Sequence, residues 1–299
     1  MHCYWQVINL YIYKYQKALG GTMNSKINLS KLSIALVGVM VATGTATAGI
    51  SGSKHDLSVG GGGQGAGAAT AICVFCHTPH GANTGAAAPL WNKVLDATGF
   101  TRYSDLGTAT LDGAEAPVGS VSLACLSCHD GSQAMDVVIN AAGSGGYNSN
   151  GAEMSASVGG KMTGTPLPNL GKDLRNDHPV SIQYAGGACQ GATSECDPSL
   201  AATSGDPDFN IARYASINSN PYWWVENTGN GTDNGTRDKD DMILYTRNDF
   251  AGAGGTSGPS VECASCHDPH NDATSGAGSV AFLRISNSGS TVCLACHNK

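Results

Sequence analysis

Apolar residues in this 299-residue chain come in short groups, and few groups repeat with the period of a long helix or a half-buried strand. Leu32 to Ala42 is an apolar run too short to cross a bilayer, which takes about 20 residues. Asn176-Asp177-His178-Pro179 reads as a turn leading through Val180 and Ser181 into a short strand at Ile182. Tyr222-Trp223-Trp224-Val225 is an apolar cluster, while Met242–Thr246 and Ala281–Ile285 have the composition of short strands. Between these groups lie Gly/Ser/Asn tracts. Residues 49–70 read as an extended, flexible glycine-rich arm, and 142–152 and 155–165 as loops. The pattern predicts mostly irregular coil with short helices and few short strands.

One pattern departs from this irregularity. Cys73-Val74-Phe75-Cys76-His77 is a C-x-x-C-H sequence, and it returns at Cys125–His129, Cys263–His267 and Cys293–His297. Each reads as a c-type haem attachment site. The two cysteines form thioethers with the vinyl groups of one haem, and the adjacent histidine supplies the proximal iron ligand. Zinc or redox uses of paired C-x-x-C do not require that histidine. With 9 His in the chain, four such coincidences have a chance of about one in a million.

Composition then takes on a meaning. The chain has 41 Gly and only 5 Phe, too little periodic apolar surface for an ordinary core of this length. Four covalently bound haem c groups supply large apolar bodies. The expected architecture is therefore polypeptide wrapped around four haems, with helical turns at the motifs. Of 11 Cys, eight sit in motifs and Cys3 lies near the amino end, which leaves Cys189 and Cys196. In an exported protein, two spare cysteines this close are expected to form a disulfide.

Residues 1–48 read as a leader. Lys26 and Lys31 flank the entry to the Leu32–Ala42 core, Ala46-Thr47-Ala48 is an A-x-A cleavage site, and Met23 is a candidate true start. Export fits haem c, which is attached outside the bacterial inner membrane. The leader carries four Lys and no acid, so its removal takes the formal charge from −7 to −11. That sign disfavours nucleic acid and anionic membranes as partners, and no transmembrane segment follows residue 48. The remaining chain divides into 49–135 with two motifs, a loop-rich insertion at 136–262 holding a histidine and the expected disulfide, and 263–299 with two more motifs. An acidic stretch at 233–241 lacks the spacing of an EF-hand loop and reads as a solvated turn.

Four haems need four proximal ligands: His77, His129, His267 and His297. With His2 in the leader, four histidines remain, His55, His80, His178 and His270, one for each distal position. His80 and His270 each lie three residues past a proximal histidine, too near to reach the opposite face of the same haem, so each is expected to serve a neighbour. Met135, Met154, Met162 and Met242 are the alternative axial donors. Iron saturated on both sides transfers electrons and has no place for substrate, so no enzymatic activity is expected.

CVFCHTPH and CASCHDPH, paired with CLSCHDGS and DHPVS, resemble the multihaem c-type cytochromes. Within that group the layout is similar to the tetrahaem extracellular cytochromes of metal-reducing bacteria that polymerise into filaments. The resemblance implies a loop-rich fold, a continuous chain of bis-histidine haems and a distal histidine donated by a neighbouring copy. His55 on the arm and His80 beside the first motif are both candidates for that crossing ligand. The expected function is electron transport along a self-assembled filament at the cell surface, toward other multihaem cytochromes or extracellular acceptors. The rival readings are a monomeric periplasmic or cell-surface shuttle and, less favoured, a multihaem reductase.

Overall fold

The computed structural model describes residues 49–63, 69–143, 146–154, 160–162, 168–200, 206–227, 234–250, 255–271 and 282–298. The leader at 1–48, much of the 155–165 tract and Ala281 lie outside them.

Strand β1 (Val137–Asn140) buries Val138 and Ile139 and pairs antiparallel with β2 (Tyr147–Glu153). β2 is polar and largely exposed, so its ladder to β1 holds it rather than any apolar face. A second antiparallel sheet has the order β3-β7-β6-β5-β4, with β3 at Ile182–Gln183, β4 at Arg213–Ile217, β5 at Asn220–Val225, β6 at Met242–Arg247 and β7 at Gly258–Val261. β4 and β5 form a hairpin closed by the pair Ile217 and Asn220. Its two loop residues, Asn218 and Ser219, have φ of +51° and +63°, the left-handed pair whose twist suits a two-residue hairpin. In β6, Met242 and Leu244 point into the core at alternate positions.

These strands build a core from protein alone. Trp223, Val225, Met242, Leu244 and Val261 pack with Tyr184 and with the disulfide joining Cys189 to Cys196. The Tyr184 hydroxyl donates to the Asn210 carbonyl at 2.7 Å. The expectation of a mostly irregular chain with haems as its core is therefore corrected: seven strands in two antiparallel sheets form among the described residues, and all lie in the stretch read as a loop-rich insertion. Short strand length is the physical reason. Elements of two to seven residues are stabilised by cross-strand partners, which a local hydropathy pattern does not register.

Three further readings change. Tyr147–Glu153 is a strand where a loop was expected. The described part of 281–285 forms a turn and an isolated bridge between Leu283 and His267. The arm at 49–63 is folded: Ser53, Asp56, Leu57 and Ser58 are buried, and the Asp56 carboxylate accepts from Gly52 N at 2.8 Å and Ser58 N at 3.1 Å. Those bonds, led by the one from the Ser58 hydroxyl, hold Asp56 below the usual carboxylate range. Gly61, Gly62 and Gly63 serve close packing: a Cβ on Gly62 would lie 2.4 Å from the Gly52 carbonyl oxygen.

Helices are few. α1 (Ser120–His129) ends in the second motif, α2 (Cys263–Cys266) is the third, α3 (Thr291–Leu294) enters the fourth, and a 3-10 turn at Cys73–Phe75 holds the first.

Candidate functional site

Each C-x-x-C-H motif is wound into one helical turn. His77 N, His267 N and His297 N donate to the carbonyl of the first cysteine of their motif at 2.8, 3.1 and 2.9 Å, and the second motif is the last turn of α1. One turn places residues i, i+3 and i+4 on a shared face. Both thiols and the imidazole of each motif therefore address the same side, as attachment to one macrocycle requires.

The motifs also meet in sequence order. Cys76 and Cys128 interact electrostatically and flank the small core of Leu57, Phe75 and Met135. The thiols of Cys125 and Cys263 hydrogen-bond to each other, which raises Cys125 and lowers Cys263. Cys266 interacts with Cys293 and Cys296, and both Cys266 and Cys296 pack on the sheet core. Burial pushes Cys76 up to about 11 and raises Cys266 and Cys296. These remain neutral thiols at pH 7, the opposite of the shift that activates a nucleophilic cysteine.

Buried polar groups fix the turns relative to one another. Glu262, 1% exposed, precedes Cys263 and accepts from the hydroxyls of Ser122, Ser181 and Ser260 and from Arg247 at 3.2 Å. Ser122 lies one turn before Cys125 and accepts from Cys263 N at 2.9 Å. Burial raises the Glu262 carboxyl above its ordinary value despite those donors. At the first motif, Asn92 donates to the carbonyls of Val74 and Asn140. Buried Lys93 beside it donates to the carbonyls of Met135 and Val137 at 2.8 and 2.9 Å.

Two histidine pairs are brought together across motifs. His77 and His270 have ring centres 6.1 Å apart with planes at 14°. His55 and His129 have ring centres 6.1 Å apart with planes at 76°. Two metal–imidazole bonds of about 2 Å on opposite sides of one ion would separate ring centres by about 6 Å. One ring nitrogen of each is already engaged. His77 Nδ1 lies 2.7 Å from the Pro89 carbonyl oxygen, His129 Nδ1 2.7 Å from that of Pro168 and His55 Nδ1 3.5 Å from that of Pro269. His270 Nδ1 lies 3.5 Å from the Asp268 carboxylate. With Nδ1 as the donor, Nε2 keeps its lone pair for a metal. The ring spacing of both pairs thus fits a haem iron.

The other candidates are placed differently. His178 is exposed, with Nδ1 2.9 Å from the Pro179 carbonyl oxygen. His80 is exposed beside motif 1, its carbonyl held by Thr78 and Asn140. Neither makes ring contact with another histidine among the described residues. His297 packs against Phe209 at 4.3 Å, and His267 is fixed by its bridge to Leu283. Met135 lies in the core beside motif 1 and Met242 in the sheet core; Met154 packs beside Met135. Trp91, edge-on to His77 at 6.1 Å, follows Pro89, whose carbonyl oxygen lies against His77 Nδ1, by two residues. At 234–241 the Asp241 carboxylate accepts from Asp238 N and Asn227 N, and the Asp238 carboxylate accepts from the Asn234 amide.

Sequence reasoning missed the Glu262 node, the proline carbonyls and Phe282, which stacks on His55 at 4.1 Å. Nothing local marks a carbonyl as a histidine acceptor. Among the described residues no group of three or more His, Cys, Asp or Glu converges as a metal site; a haem iron takes only two protein ligands. No described helix is long and apolar enough to cross a membrane. No protein-family model and no curated protein sequence matches the chain.

Proposed function

We propose that the chain carries four haem c groups, one per C-x-x-C-H turn, and passes electrons along them. The observation that carries this reading is the joint arrangement of four attachment turns packed in series, Cys76 with Cys128 on one cluster, Cys263 N bonded to Ser122 of α1, and Cys266 with Cys296 on the sheet core, together with two histidine pairs at 6.1 Å. The haem supplies the redox chemistry. The protein holds each iron between imidazoles, keeps their Nε2 atoms available and fixes successive turns through Glu262, Ser122 and Lys93. His77 with His270 and His129 with His55 are the two assigned axial pairs, while His267 and His297 are the remaining proximal ligands.

The test is a haem count and a ligand-binding assay on the exported protein. Four covalent haems and no carbon monoxide uptake on reduction are expected. Stoichiometric carbon monoxide binding at any haem would overturn the electron-transfer reading and favour a reductase.

Self-association is the finer part of the proposal. His55 lies against His129 of its own chain, so His80 is the better candidate to serve a neighbouring copy. Its exposure beside motif 1, with no facing histidine among the described residues, favours this assignment. A head-to-tail contact that does not close into a ring grows into a fibre. Electron microscopy of secreted material is expected to show filaments at the cell surface, and discrete particles alone would leave a monomeric shuttle.

A further inference from the structure

The residues after motif 3 reach the axial ligands of three haems at once. His267 belongs to that motif. His270, three residues on, is the partner of His77 in motif 1. Between them, the Pro269 carbonyl oxygen lies 3.5 Å from His55 Nδ1, and His55 is the partner of His129 in motif 2.

This segment is itself clamped to the chain that follows. Asp268 N donates to the Phe282 carbonyl at 2.8 Å, and the Asn271 amide donates to the Leu283 carbonyl at 3.0 Å. The Asp268 carboxylate accepts from His270 N at 2.9 Å and lies 3.5 Å from His270 Nδ1. Gly49 N, six residues before His55, donates to the His270 carbonyl at 3.0 Å.

Phe282 closes the arrangement. Its ring lies over the His55 imidazole with centres 4.1 Å apart and planes at 18°. A backbone observation singles out the same residue: its φ is +66°. Bulky residues occupy that left-handed region where the surrounding structure imposes it.

We propose that Asp268, Pro269 and Phe282 form a shared hub that orients the distal ligands of haems 1 and 2, with Phe282 as the positioning residue for His55. The proposal rests on the haem reading above. It makes the ligation of two irons depend on a segment that is covalently tied to a third. Asp268 orients His270, and the Pro269 carbonyl with the Phe282 ring orients His55. Loss of the ring frees an imidazole without touching any ligand, cysteine or core residue.

The test uses the full-length, haem-loaded protein. Phe282→Gly removes the ring and also suits a positive φ, so the fold is expected to persist with four haems by covalent haem assay. One haem in four is expected to turn high-spin by resonance Raman and electron paramagnetic resonance and to bind carbon monoxide when reduced. Phe282→Tyr, which keeps the flat ring, is expected to leave all four low-spin. If Phe282→Gly does not accumulate, Phe282→Leu carries the same readout. Four low-spin haems and an unchanged redox titration in the ring-lacking variant would overturn the hub while leaving the haem reading intact. A wild-type protein without covalent haem would remove both.

Discussion

His270 shows how much rests on single side chains. Its ring stands opposite His77, a residue 193 positions earlier, and its Nδ1 lies beside the Asp268 carboxylate. On the proposed haem reading, His270→Ala is expected to leave four covalent haems and to open one iron per chain. Carbon monoxide titration of the reduced variant then gives one equivalent, against none for the wild type. Gly62 acts through space rather than chemistry. A methyl group there meets the Gly52 carbonyl oxygen at 2.4 Å, so Gly62→Ala is expected to cost about 1–3 kcal/mol in overpacking. Thermal denaturation measures that loss, and a rise in high-spin haem would report the accompanying displacement of His55.

Between elements, the buried node at Glu262 joins α1 to α2 and both to β6. Glu262→Ala leaves the Arg247 guanidinium with the Asp249 carboxylate at 2.6 Å and the Pro117 carbonyl at 2.7 Å. Removing one partner of a buried pair costs about 3 kcal/mol at the low end of such losses. Glu262→Gln keeps groups that can bond the three serines and is expected to lose less; chemical denaturation compares the two. The Cys189–Cys196 bridge closes a short loop against the sheet core. Replacing both cysteines with serine is expected to cost about 2–3 kcal/mol. The elements differ in how openly the sequence announces them. The four turns are written as C-x-x-C-H, and Met242–Thr246 has the composition of a strand, while the alternate burial of Met242 and Leu244 is set by the fold. β2 and the Asn218–Ser219 loop leave no such trace, because a polar strand and a two-residue turn are defined by their partners. The glycine run misleads for a related reason: composition does not separate freedom from crowding. The histidine count was legible, whereas the pairing of His55 with His129 and His270 with His77 depends on a fold whose sheets were not.

For the molecule as a whole, the correction to the fold changes what depends on cofactor. Tyr184, Trp223, Met242 and their neighbours bury one another without help, whereas among the described residues motifs 1 and 2 share the small cluster of Leu57, Phe75 and Met135, and Leu126 of motif 2 joins a second small one with Val118, Leu123 and Leu174. Protein made without haem attachment is expected to keep its antiparallel-sheet circular dichroism while motifs 1 and 2 become sensitive to protease. Loss of all sheet signal in that apoprotein would show that the cofactors hold the fold after all.

The bond from Gly49 to the His270 carbonyl and the bond from Cys263 N to the Ser122 hydroxyl tie early chain to late chain. A polypeptide threaded outward amino end first would expose its leading thiols well before those closing partners arrive. On the proposed reading, haem would be attached to the first two binding turns while they are still slack, and the last residues to emerge would cinch them shut.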